Sequence, residues 1–276
     1  ADVITISGQG TLSIVRGKAG ADTISITDLD AAATVAGNDG ADVITVAGTF
    51  ADDAEIRGGK GHDAITLDGA DLSTTSGELI GSDGNDPITF ADAVDDNALI
   101  TVAGGAGIDS ITFSGAIATG NNDLGAIRID SLSDSVADAL DTYDVSGLVT
   151  DSGATVDLIA GDEIGFVSAA AISGNNDIAP SVFLTGAAVT GSVTGGYMSY
   201  EGSSATLATV IGYADAATRI ETGTSQGRAV LFTSSGDDYL FIQGGSEGTS
   251  DDFLMEFNGA SGSTIAAATI TLKGDA

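Results

Sequence analysis

The chain of 276 residues has no cysteine, no tryptophan, two prolines, one histidine and eight basic residues. Lack of cysteine removes disulfides, zinc-thiolate sites and thiol catalysis together. The lone His62 has no second histidine or cysteine with which to build a zinc site, a triad or a Cys-His pair. Long apolar runs are missing too: none approaches the roughly 18 residues of a membrane span. The chain opens on Ala-Asp-Val-Ile rather than on a basic-then-apolar leader, so position 1 is expected to be a cleavage or boundary point.

Against the eight basic residues stand 40 acidic ones, a formal charge of −32. Such a charge repels a nucleic-acid backbone and an anionic membrane surface, so neither nucleic-acid binding nor membrane insertion is expected. It also opposes compaction through self-repulsion unless something neutralises it, and carboxylates in quantity suit hard divalent cations such as Ca2+. A hydrophobic share of 42%, much of it Val and Ile in short alternating runs, argues for a buried core rather than disorder.

The internal repeat is the main signal. Five copies of Gly-x-x-Gly-x-Asp-x-Ile-Ser/Thr-apolar run through Gly17, Gly20 and Asp22, through Gly37, Gly40 and Asp42, through Gly58, Gly61 and Asp63, through Gly81, Gly84 and Asp86, and through Gly104, Gly107 and Asp109. A shortened copy opens the chain at Asp2. The aspartates are 20, 20, 21, 23 and 23 residues apart, in the range for one coil of a small β-solenoid. A further rung is expected at Asp130-Ser-Leu132.

Within each copy the pattern has period two. Ile4 and Ile6, Ile24 and Ile26, Ile44 and Val46, Ile65 and Leu67, Ile88 and Phe90, and Ile111 and Phe113 therefore share an inward face. Thr5, Ser25, Thr45, Thr66, Thr89 and Thr112 then point outward. Val15, Val35, Ile56, Leu79 and Val102, each two residues ahead of a loop glycine, imply a second strand per coil. The glycines at positions one and four of the loop are expected to supply the positive φ angles of a sharp turn. When such loops stack, backbone carbonyls and the loop aspartate can surround an ion, and calcium takes six to eight oxygens at about 2.3–2.6 Å. Asp22, Asp42, Asp63, Asp86 and Asp109 are the principal expected ligands. Pro87 removes a backbone donor beside Asp86. The competing reading is a metal-free β-helix in which Asp serves as a turn residue.

These loops resemble the Gly-Gly-x-Gly-x-Asp-x-apolar-x nonapeptide of the RTX family of secreted calcium-binding proteins, over roughly residues 1 to 115. The resemblance implies metal loops at Gly17, Gly20 and Asp22; Gly37, Asp39, Gly40 and Asp42; Gly58, Gly61 and Asp63; Gly81, Asp83, Gly84 and Asp86; and Gly104, Gly107 and Asp109. The family's nonapeptides run back to back, whereas here one metal loop alternates with a less regular connection. Ions on one side of the solenoid only are therefore expected.

Beyond residue 135 the loops lose their form, but β texture persists at 155–159, 181–184, 228–232 and 268–272. A helical signal is confined to Ser133–Leu140. Asp134, Asp138, Asp141 and Asp144 read as solvated acidic surface, with capping or metal binding as the alternatives. Gly120-Asn-Asn-Asp123 and Gly174-Asn-Asn-Asp177 read as two similar turns. Residues 236–242 and 251–257 read as a hairpin carrying core aromatics. That hairpin is similar to the C-terminal region of RTX proteins exported by type I secretion, which implies an uncleaved terminal signal and an extracellular location.

The expected fold is all-β: a calcium-binding solenoid over 1–135, a parallel β-helix or β-roll with 20–23 residues per coil, then a β-rich domain over 136–276. Carboxylate pairs also serve glycoside hydrolases, but regular Asp spacing suits a metal ladder better, and no enzyme activity is expected. The expected role is a calcium-dependent structural component of a bacterial cell surface, similar to RTX surface-layer proteins. Self-association into a lattice or other homo-oligomer, and contact with cell-surface polysaccharide, follow from that resemblance. The alternatives are a calcium-dependent adhesin stalk and the secretion tail of an exported enzyme.

Overall fold

The computed structural model describes residues 1–7, 14–69, 76–91, 99–114, 123–129, 135–136, 140–146, 154–160, 190–194, 197–201, 206–218, 229–242, 252–260, 263–266 and 269–272. The expected strand at 181–184 and the expected turns at 120–122 and 174–177 lie outside them.

Coil by coil, the chain lays down β1 (Val3–Ile6) and β2 (Ile14–Ala19), β3 (Thr23–Ile26) and β4 (Thr34–Asp39), β5 (Val43–Val46) and β6 (Ala54–Lys60). It continues with β7 (Ala64–Leu67) and β8 (Ser76–Asp83), β9 (Pro87–Phe90) and β10 (Leu99–Ala106), and β11 (Ser110–Phe113) and β12 (Asp123–Ile129). Odd-numbered strands pair with odd and even with even, all parallel, which makes two sheets of a β-solenoid. The register aligns equivalent repeat positions: Ile4, Ile24, Ile44, Ile65, Ile88 and Ile111 form one row. Ile24, Ile44, Ile65 and Ile88 are fully buried, as the period of two requires, and Val35, Ile56 and Leu79 meet them from the second sheet.

Pro87 has a local consequence. The carbonyls of Asp2, Asp22, Asp42, Asp86 and Asp109 each accept the N–H of the residue following the next buried aspartate. At the Asp63 carbonyl that residue is Pro87, which has no N–H to give.

Both sheets continue past residue 135. The first continues through β13 (Asp141–Asp144), and the second through β14 (Ala154–Ala160). Later elements are β15 (Thr190–Thr194), β16 (Tyr197–Glu201), α1 (Leu207–Thr218), β17 (Ala229–Ser234), β18 (Asp237–Ile242), β19 (Phe253–Asn258), β20 (Thr264–Ala266) and β21 (Thr269–Leu272). β19 adds parallel to β13, while β18 and β17 follow antiparallel, so the expected hairpin of β18 and β19 is present and closes the first sheet's core. β21 and β20 extend the second sheet antiparallel. A line of rings crosses the junction: Phe90 stacks on Phe113 at 4.6 Å, Phe113 meets Tyr143 at 5.1 Å, and Tyr143 meets Phe257 edge-on at 5.6 Å.

The expected helix is corrected. The described residues Ser135, Val136 and Leu140 are not helical, and the helix lies instead at Leu207–Thr218. Its signal was in the sequence: Leu207, Val210, Ile211 and Ala214 follow the i, i+3, i+4, i+7 spacing, and Thr206 caps the N–H of Thr209. That stripe packs on Val230, Phe232, Tyr239 and Phe241, so α1 covers the outer side of the first sheet where that side turns apolar.

Phe113 joins the solenoid core to the C-terminal strands, so Phe113→Ala is expected to lower stability by about 3–5 kcal/mol. Denaturant unfolding followed by circular dichroism in calcium measures this, and a loss equal to that of an exposed-site control would contradict it.

Candidate metal centre

Each repeat loop joins an even strand to the following odd strand. Along these loops Asp22, Asp42, Asp63, Asp86 and Asp109 are all buried, at 0–1% exposure. Burial of five carboxylates in a row requires partners. One oxygen of each has one: the backbone N–H of Asp22 donates to Asp42 Oδ1 at 2.6 Å, Asp42 to Asp63 at 2.7 Å, Asp63 to Asp86 at 2.7 Å, and Asp86 to Asp109 at 2.8 Å. The N–H of Asp2 donates likewise to Asp22 Oδ1. Every carboxylate thus holds the backbone of the coil before it. The second oxygen, Oδ2, of all five has no hydrogen-bond partner.

The ladder runs one rung beyond the repeats. The N–H of Asp109 donates to Asp141 Oδ1 at 2.8 Å, and Asp141 is itself buried. The N–H of Asp141 donates to Ser135 Oγ at 2.7 Å, and the Ser135 hydroxyl donates to the Leu254 carbonyl in β19. The sixth rung is therefore Asp141, not Asp130, which lies outside the described residues, and Asp141 is not solvated surface. Its signal was Asp141-Thr-Tyr-Asp-Val145, which repeats the Asp-x-apolar-x-apolar pattern without a glycine loop ahead of it.

The glycines divide into two kinds. Position four is as expected: Gly20, Gly40, Gly61, Gly84 and Gly107 have φ between +111° and +158°. The other positive φ falls at position two, on Lys18 (+82°), Asn38 (+79°), Gly59 (+118°), Ser82 (+87°) and Gly105 (+100°). Position one is glycine for space, not for φ. A Cβ on Gly17 would lie 2.6 Å from Asp22 Oδ2, one on Gly81 2.7 Å from Asp86 Oδ2, and one on Gly104 2.5 Å from Asp109 Oδ2. On Gly58, Asp63 Oδ2 and the carbonyl oxygen of Gly81 would each be 2.6 Å from it. Gly37 is closed in the same way by Asp42 Oδ2 and the Gly58 carbonyl. The unpartnered carboxylate oxygen of one coil and the position-one carbonyl of the next thus converge beside the same glycine Cα.

These oxygens are the ones a hard cation takes, and the orphaned, buried Oδ2 atoms fit one. No three carboxylate or histidine side chains gather at one point among the described residues, so backbone carbonyls would complete any cage. Asp39 and Asp83, expected as ligands, sit at position three with exposed side chains. Their carbonyls accept the N–H groups of Gly20 and Gly61, at 2.7 Å each. The exposed His62 accepts the Asn85 N–H on Nδ1 at 2.8 Å, and Asn85 Oδ1 accepts the Ile108 N–H at 3.1 Å, a short outer ladder beside the buried one.

Neither a protein family, nor a curated protein, nor a solved structure matches this chain.

Burial raises the carboxyls of Asp42 and Asp63, and pushes Asp86 up to about 7 and Asp109 up to about 6; the N–H donated to each works the other way. With the folded values above the unfolded ones, metal-free stability is full below the ordinary carboxyl range and is lost as pH rises toward 7. The chelated protein is therefore expected to show more native β signal at pH 5.5 than at pH 7.5, with calcium abolishing or reversing the difference. Equal signal at both pH values without metal would contradict it.

Positions one and two should therefore respond differently to substitution. Gly58→Ala is expected to weaken calcium-dependent folding at least about tenfold in midpoint, whereas Ser82→Gly, which relieves a positive φ, leaves stability unchanged or raises it by up to about 1 kcal/mol. Calcium titrations of both variants by circular dichroism distinguish the two roles.

Proposed function

We propose that this chain is an extracellular calcium-binding structural protein whose fold and assembly depend on the metal, a component of a bacterial surface layer or a comparable matrix. The observation that carries the reading is the row of five buried carboxylates, each with one oxygen held by a backbone N–H and the other without a partner. Removing an unpaired carboxylate from water costs several kcal/mol, and a row of them at strand spacing also repels itself. Calcium supplies the missing positive charge, and Asp22, Asp42, Asp63, Asp86 and Asp109, with the carbonyls of the position-one glycines, would hold it.

The reading explains why the acidic excess is tolerated. At −32 the chain opposes its own compaction, so in low calcium it stays largely unfolded and in a calcium-rich medium it folds. Such a switch keeps export and folding apart. A structural rather than catalytic role agrees with the regular spacing of the buried carboxylates. A single acid-base pair needs no such row.

The test is a calcium titration of the chelated protein by circular dichroism and calorimetry. Cooperative gain of β signal with calcium, and little gain with magnesium at the same concentration, is the expected result. Native β signal and an unchanged melting temperature in chelator would overturn the reading.

A further inference from the structure

The outer side of the first sheet differs from the rest of this acidic molecule. Over β1 to β11 its central row is Thr5, Ser25, Thr45, Thr66, Thr89 and Thr112, aligned by the strand register. On one side of it runs Val3, Thr23, Val43 and Ala64, with Val3 80% and Val43 45% exposed. On the other side Thr27, Ala47, Asp68, Ala91 and Ser114 each donate a backbone N–H one coil back. Asp68 is the single charge among these residues. The outer side of the second sheet is the opposite case, carrying Glu55 paired with Arg57 and Glu78 paired with Arg128. The uncharged region has definite limits. Past β11 the rows reach Asp144 and Glu256, and beyond Glu256 the same side becomes apolar and is covered by α1.

We propose that this uncharged, hydroxyl-and-methyl face of β1 to β11 is a self-association surface, and that its occupant is the same face of a second copy of the chain. Electrostatics favours this occupant. Two molecules of charge −32 repel each other, and burying carboxylates between them adds a desolvation cost. This face is where two copies can meet while burying almost none. A basic partner gains nothing from an uncharged surface, and no aromatic side chain stands in these rows to stack on a sugar ring. The same patch on both partners, with rows repeating at about 4.8 Å, is self-complementary about a two-fold axis.

Its size sets the strength of the contact. Six rungs by three rows cover roughly 400 Å² per copy, about half of what a standard stable interface buries. One such contact is weak and concentration-dependent, and it becomes durable when a molecule makes others in an array. The proposal deepens the lattice part of the function proposed above, which it takes as given, by naming the surface.

Sedimentation velocity of the full chain in calcium at physiological salt, from micromolar to millimolar protein, tests it. The unaltered chain is expected to sediment faster as concentration rises. Thr45→Asp with Thr66→Asp should weaken association at least about tenfold, because each contact then buries or opposes four added carboxylates. Thr34→Asp with Thr101→Asp, on the outer side of the second sheet, should not change it. If the first variant fails to give the native β signal, Thr45→Arg with Thr66→Arg places like charges at the same spots and is read in the same way. Association of a folded face variant at wild-type strength would overturn this surface and leave a lattice built through another one. An unaltered chain that stays monomeric at millimolar concentration would overturn the surface and the lattice reading together, while the calcium titration still stands or falls by itself.

Discussion

The interaction on which the rest depends is the buried hydrogen bond from the backbone N–H of one loop aspartate to the carboxylate of the next. It ties each coil to its successor at the turn that leads from the second sheet back to the first. A hydrogen bond to a charged group contributes about 1.5–3 kcal/mol. That does not offset the burial of a whole carboxylate with its second oxygen unmatched, which costs several kcal/mol in a protein interior. The ladder is therefore self-consistent as geometry and incomplete as electrostatics, and a divalent cation is the agent we propose to complete it.

The loop composition follows from the same bond. Bringing a carboxylate under the turn leaves no room for a side chain at position one, and close stacking of coils leaves none at position four, where a Cβ on Gly40, Gly61, Gly84 or Gly107 would run into the carbonyl of the equivalent glycine one coil back. Position two takes a positive φ in every loop, on Lys18, Asn38 and Ser82 as well as on Gly59 and Gly105, and at the two glycines a Cβ would run into the carbonyl oxygens of Asn38 and Ser82 respectively. The C-terminal strands provide the ladder with an end. Asp141, Ser135 and the Leu254 carbonyl terminate it, and the ring sequence from Phe90 to Phe257 carries the core on into the C-terminal strands alongside it.

Much of this was legible in the amino-acid order because it is local. The period-two rows, the paired strands of each coil and the glycine-aspartate loops all follow from one repeat of 20 to 23 residues. A helix over Leu207–Thr218 is equally legible from its apolar spacing, whereas Ser135, Val136 and Leu140, within the expected helix at Ser133–Leu140, are not helical. The sixth rung was obscured for another reason: Asp141 arrives 32 residues after Asp109, without glycines, so the period that exposes the other rungs does not reach it.

The sequence by itself determined the solenoid, its coil length, its inward and outward faces and the five aspartates of the loops, since each depends on residues within one repeat. Tertiary structure alone decided that those aspartates are buried, that only one oxygen of each is matched, and that Asp39 and Asp83 stay exposed. It alone decided that position-one glycine makes room for a carboxylate, and that the two sheets pass unbroken into the C-terminal strands. The physical reason is that burial and hydrogen-bond pairing are properties of neighbouring coils. Residues 20 or more apart in sequence become neighbours only when the coils stack.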